Sequence, residues 1–352
     1  MQSCRIRPSD FAGVFGKEFG DVFLLVTSPR VRERLQVERD NGVELAEQSW
    51  EGAHSRSALL ARFEDLRRAG RKASVVWIAD DEFEHYSNDE LKGIKLAALS
   101  SFSSPFTVDA LARTLAIVRD TDYQQELEIE RSFLEKLDGG KRILFRSASP
   151  KAEATLDYQQ LQHWFSLHGA LSFGQQVVAP TGELSMLLNG SGEFDAVSRF
   201  PLDGQILLEG QPIVHRGSRT VALEETMKTY DSLAAMRDQP ALVDVRGGEI
   251  VGVHPAGGGD AFCRSLTQFL EREPLYRKIH EIGFGTSLQC KALRAENFAA
   301  NERYPGVHFG LGLGGHTQFH IDLVCTKTDV LVEFADGRTE DVYQYAQGVP
   351  AK

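Results

Sequence analysis

Three stretches late in the chain, "HEIGFG" (280–285), "GVHFGLG" (306–312) and "FHIDLV" (319–324), alternate bulky apolar residues with glycine, histidine or carboxylate. A period of two is the strand period, in which residues i and i+2 share a face. Ile282, Phe284, Val307, Phe309, Phe319, Ile321 and Leu323 are therefore expected to face a core. Glu281, His308, His320 and Asp322 are expected on the opposite face. The chain is thereby constrained to a sheet with one apolar side and one side carrying side chains suited to metals. Glycines beside these groups leave room for a ligand or neighbouring backbone. A carboxylate inside an apolar strand needs a partner, because burying it alone is costly. His320 and Asp322, held together on one rigid strand, would make half of a divalent-metal site. The plainer alternative is a buried His–Asp hydrogen bond that only fixes a turn.

"GLGLGG" (310–315) formally satisfies the dinucleotide pattern GxGxxG. That chemistry needs a helix to open after the loop, with its N-terminus toward the pyrophosphate. Here a strand-like segment follows, so the match is set aside.

The first 120 or so residues read differently. "DVFLLVTS" (21–28), "ASVVWIAD" (73–80) and "IKLAALSS" (94–101) are short apolar runs bounded by turn formers. "SRSALLARFEDLRRAG" and "TVDALARTLAIVRD" are helical between them, the second with Thr107 or Asp109 as N-cap. Strands alternating with helices predict an α/β domain with an open, mainly parallel sheet, over residues 1–135. It carries no phosphate-binding loop and no titratable cluster. A charged helix (122–140) leads to a strand-rich α+β domain over 136–352, with helical inserts at 153–168, 220–237 and 259–273. Within the first insert, "LQHWFSLHG" reads as a core stripe at helical spacing.

A length of 352 residues suits two domains, and a net charge of −11 argues against a nucleic-acid partner, since no basic face is expected. Cys4, Cys263, Cys290 and Cys325 have no CxxC spacing, which fits buried thiols in a reducing compartment. No signal-like start and no apolar run of bilayer length is visible, so a cytoplasmic protein is expected, with no membrane partner.

The order of these elements resembles the aminopeptidase T/aminopeptidase S family of metallopeptidases over residues 136–335. "LDGGKRILFRS" resembles that family's strand leading into the domain, and "VVAPTGELSMLLNGSGEF" the segment that supplies a glutamate ligand, here Glu183. "HEIGFGTS" is similar to the strand carrying a second carboxylate, Glu281. "NERYPGVHFGLG" matches the Glu–His segment, giving Glu302 and His308, and "FHIDLV" the terminal H-x-D pair, His320 and Asp322. The resemblance implies a metallopeptidase-like fold, a possible homodimer and a two-metal site for Zn, Co or Mn. Glu183, Glu281, His308, His320 and Asp322 would be the ligands. Glu302 would be a further ligand or the general base, and Tyr304 could assist at the oxyanion. Two such ions can hold a hydroxide and polarise an amide carbonyl, so the expectation is a hydrolase acting on a peptide or amide bond. The N-terminal half and the "SPKAEATLDY" turn, in place of the family's "GTDL", depart from the pattern and imply a changed substrate.

Two other functions fit the same residues. The scaffold is also similar to the mononuclear iron 2,5-dihydroxypyridine dioxygenases, in which His320 and Asp322 would match two ligands and His280 or Glu281 the third. A peptidase-like scaffold with a new N-terminal half could instead bind a peptide without cleaving it, for example a precursor in ribosomal peptide natural-product biosynthesis.

Overall fold

The computed structural model describes residues 3–346 apart from 17, 41, 53, 82, 101–106, 160, 162–163, 189–197, 219, 296–297 and 314–315. Contacts divide the chain into two compact units, residues 1–126 with 167–181, and residues 127–166 with 182–352.

The first unit is built on a five-stranded parallel sheet, in the order Gln176–Val178, Ile94–Ser100, Ala73–Ala79, Val22–Thr27, Glu44–Ser49. The three apolar runs of the sequence are its central strands, buried on both faces as parallel strands are. One face packs Phe11, Phe15 and Phe23 with Leu111 and Leu115; the other packs Trp77 against Trp50, Leu59 and Phe63. The helix Val108–Asp120 is capped by Thr107, whose side chain accepts the Ala110 N–H at 3.1 Å. The edge strand Glu44–Ser49, "ELAEQS", has no fully buried residue and no apolar run to announce it. Residues 167–181 lie with this unit because Gln176–Val178 pairs with Ile94–Ser100.

The second unit holds two sheets. One has seven antiparallel strands, ordered Glu249–Pro255, Ala241–Arg246, Leu202–Leu208, Lys151–Leu156, Arg142–Ala148, Asp329–Glu333, Thr339–Asp341. The other has six, ordered Gln211–Arg216, Phe319–Cys325, Gly306–Leu311, Ile279–Gly285, Glu183–Leu187, Trp164–Leu167. Their apolar faces meet in one core. Phe145 of the first sheet lies 5.3 Å edge-on to Phe309 and 6.5 Å, stacked, from Phe284 of the second. The molecule is thus a mixed α/β protein with one parallel sheet and strand-rich antiparallel sheets.

Helices Leu223–Leu233 and Ala261–Arg272 fall where the spacing predicts them. The helix expected over 153–168 does not form. Lys151–Leu156 is a strand with alternating burial, and Trp164–Leu167 is an edge strand on which Phe165 is 45% exposed. In "LQHWFSLHG" the apolar residues do not form a core stripe: Trp164 and Leu167 are half-buried and Phe165 and Ser166 exposed, on an edge strand too short to show a period. Among the described residues no helix is long and apolar enough to cross a membrane.

Candidate metal centre

The six-stranded sheet sorts its side chains as the alternation requires. Leu184, Met186, Ile282, Phe284, Val307, Phe309, Ile321 and Leu323 enter the core. Glu183, Glu281, His308, His320 and Asp322 leave from the other face and converge. Register explains how. Gly310 is paired with Glu281 on one side and Asp322 on the other, so two carboxylates flank a position without a side chain. A Cβ on Gly310 would stand 2.7 Å from Glu281 Cβ, 2.9 Å from His320 Cε1 and 3.0 Å from Asp322 Oδ1. Gly283, paired with His308, is equally constrained, because a Cβ there would overlap that imidazole.

His320 Nε2 lies 3.2 Å from Glu281 Oε2 and 3.1 Å from Asp322 Oδ1. Its Nδ1 donates to the carbonyl of Gly312 at 2.8 Å. That bond directs Nε2 toward the carboxylates, the arrangement found in metal-ligating histidines. His308 Nε2 is 3.4 Å from Glu183 Oε1 and 3.9 Å from Glu281 Oε1. Three triads each bring one ligand atom per residue within 4.8 Å: Glu183, Glu281 and His308; Glu281, His320 and Asp322; His215, Glu302 and Asp322.

Two members were not foreseen from sequence. His215, on the edge strand Gln211–Arg216, is paired across from His320, and its Nε2 lies 2.9 Å from both Asp322 Oδ2 and Glu302 Oε1. Its place on the strand face of "PIVHRG" was the available signal. Arg303 is the other. Its side chain is 2% exposed, and Nη1 donates to Glu183 and, at 2.6 Å, to Glu302. Nothing in "NERYPG" distinguishes such an arginine from a solvated loop residue.

Burial alone would lower the pKa values of His215, His308 and His320. Facing carboxylates overcome it, holding His215 up at about 9 and the other two well above the ordinary histidine value. Burial would likewise raise the acids, yet the imidazoles of His308 and His320 beside it draw Glu281 down to about 2. Asp322 is held well below its usual range against the same penalty, chiefly by the charge of His320. Asp322 Oδ1 and Glu302 Oε1 are buried without a hydrogen bond, although imidazole nitrogens stand close by. Buried imidazole nitrogens and carboxylate oxygens that converge, two of the oxygens without a hydrogen bond, are what a cation-binding donor set presents, and the mixture of imidazole and carboxylate suits a divalent ion.

The remaining expected residues separate. Tyr304 is turned into a neighbouring cleft. His280 belongs to none of the triads; burial drives its pKa down to about 4, and it is a neutral core ring near neutrality.

A search of curated proteins finds no match. Among solved structures the chain is similar to 2,5-dihydroxypyridine dioxygenase from Pseudomonas putida KT2440, with a TM-score of 0.50 and 16% identity over 90% of this chain and 89% of that one. At that identity the likeness speaks for the fold. The aminopeptidase resemblance has no counterpart in these findings. Residues 55–333 match the family described as crocagin biosynthetic protein CgnE/B. With most of its length covered, the chain belongs to the CgnE/B family of crocagin biosynthetic proteins.

Proposed function

We propose that this protein binds a peptide in natural-product biosynthesis and does not hydrolyse it through a pair of metal ions. The observation that carries the case against a metal pair is Arg303, and the family carries the peptide. Its guanidinium, always charged, is buried against Glu183 and Glu302. In the two-metal arrangement Glu183 would be a ligand, and Glu302 a further ligand or the general base. Four carboxylates, Glu183, Glu281, Glu302 and Asp322, could balance two divalent ions, but Arg303 already answers one of the four negative charges. The fixed cation therefore favours at most a single ion. Membership in a biosynthetic family supports a pathway role.

A second reading keeps one ion at Glu281, His320 and Asp322, with His308 beside it. The Nδ1 bond of His320 to Gly312 and the unbonded Oδ1 of Asp322 favour it. An ion held there would act as a Lewis acid toward a bound carbonyl or oxygen donor. The ring-cleaving dioxygenase alternative needs a second histidine at the position occupied by Glu281, which makes this donor set richer in carboxylate than the two-histidine, one-carboxylate arrangement.

The deciding experiment incubates the purified chain with the pathway's precursor peptide, with and without added Mn, Zn or Fe(II). Fluorescence anisotropy reports binding and mass spectrometry reports the peptide. Saturable binding with the peptide mass unchanged is expected. A shortened peptide would restore the hydrolase, and added oxygen mass would favour the dioxygenase. Absence of binding in every condition would remove the peptide reading.

A further inference from the structure

Beside the acidic cluster, in the same unit, lies a cleft of about 630 Å³ whose charge has the opposite sign. Arg237, Lys291, Arg294 and Lys327 line it. Among the described residues none of these four makes an ion pair, and the side-chain hydrogen bond of Arg237 goes to the neutral amide of Gln211. The one acid in the wall, Glu209, is buried and already occupied. Its oxygens accept from the backbone N–H groups of Thr326 and Lys327 and from the Thr326 hydroxyl at 2.9 Å. Four cations thus face one spent carboxylate, in a chain whose net charge is −11. Such a local reversal of sign concentrates anions that the rest of the surface repels.

The cleft is also apolar in part. Leu293, Ala292 and Ala295 contribute to it, and Tyr304 offers a ring with a polar tip. The loop that carries these residues is held in shape. Buried Asn301 accepts the Arg294 N–H at 2.9 Å and donates to the Arg294 carbonyl at 2.6 Å, and Cys290 Sγ donates to Ala300 O at 2.8 Å. A preformed pocket of this size, mixing apolar wall with convergent charges, is the usual form of a ligand site, and its rigidity lowers the ordering cost of binding.

We propose that this cleft is the docking site for an acidic segment of the bound peptide, its Asp or Glu carboxylates meeting Lys291, Lys327, Arg294 and Arg237 while an aliphatic side chain rests on Leu293. The identification as peptide rests on the proposed function; the acidic, amphipathic character rests on the cleft. Two segments join the cleft to the cluster. Gly210 and Gln211 lead into the strand that carries His215, and Tyr304 follows Arg303. A peptide anchored here therefore lies along the segments that carry His215 and Arg303.

The test measures anisotropy of a labelled six-residue probe alternating glutamate and leucine, its glutamine–leucine counterpart, and the pathway's precursor peptide. The full chain is compared with Lys291→Glu/Lys327→Glu and with Lys291→Gln/Lys327→Gln, whose altered side chains are solvent-exposed and whose folding is checked by circular dichroism. The acidic probe should bind the wild type, with affinity falling roughly tenfold or more in the charge-reversed variant and less in the neutral one. The glutamine probe should bind none of them well. Equal affinity of the acidic probe for wild type and variants, or of the two probes for the wild type, would overturn the proposal. If the precursor binds wild type and variants alike, the peptide reading stands and this cleft is not its anchor. If the acidic probe discriminates while the precursor fails to bind, the cleft is an acidic-peptide site and the pathway reading falls.

Discussion

Arg303 and Gly283 show how single positions set what the cluster can hold. Replacing Arg303 by methionine leaves Glu183 and Glu302 facing each other without their buried cation. Breaking a buried ion pair from one side costs about 3–5 kcal/mol, so Arg303→Met should unfold at distinctly lower denaturant. If the guanidinium stands where a second ion would, added Zn or Mn should restore stability more in this variant than in the wild type. A thermal-shift titration checks this, and equal shifts in the two proteins would remove Arg303 from that role. Gly283→Ala acts differently, by pushing a methyl group into the His308 imidazole. Overpacking of this kind costs about 1–3 kcal/mol, and displacement of His308 should also weaken metal uptake measured by mass spectrometry of the purified protein. A wild type that takes up an ion and a variant with the same content would show that His308 is not a ligand. The two residues differ in legibility. Glycine next to histidine in a two-residue period is readable in "EIGFG" and "GVHFG". A buried arginine in a loop is not, because its burial is decided by strands more than a hundred residues away.

At the scale of elements, the alternation of the strands did most of the predictive work. It separated core from site on Ile279–Gly285, Gly306–Leu311 and Phe319–Cys325, since a slip of one residue would exchange the faces wholesale. Edge strands defeated it. Trp164–Leu167 has too few residues to show a period, and Glu44–Ser49 is solvated along much of its length. His215 was missed for a related reason, because its strand pairs with Phe319–Cys325 across a separation that sequence spacing does not reveal. The core side of the sheet supports the site side. Phe284 packs 5.1 Å from Phe133 and 6.3 Å from Trp164, and also meets Phe145. Phe284→Ala should cost about 3–5 kcal/mol through the cavity it leaves, measured by urea denaturation. A loss below about 1 kcal/mol would mean that neighbouring rings collapse into the space and that the strand is not pinned from beneath.

For the whole molecule, the question is whether the two units stand or fall together. Each has its own closed set of buried residues: the first packs around Phe23 and Trp77, the second around Phe145 and Phe284. The chain nevertheless passes between them more than once, since 167–181 returns to the first unit. Separate cores favour separate transitions, and repeated crossings favour coupling. The tryptophans can tell these apart. Trp50 and Trp77, 5.5 Å apart and edge-on, report the first unit, while Trp164 reports the second. In a Trp164→Phe background, fluorescence follows only the first unit. Introducing Phe284→Ala there should leave that fluorescence midpoint at its Trp164→Phe value, while far-ultraviolet circular dichroism gains an earlier transition from the second unit. A fluorescence midpoint that moves down with the circular dichroism would show that the crossings bind the units into one cooperative body. The stability of the acidic cluster would then be a property of the entire chain.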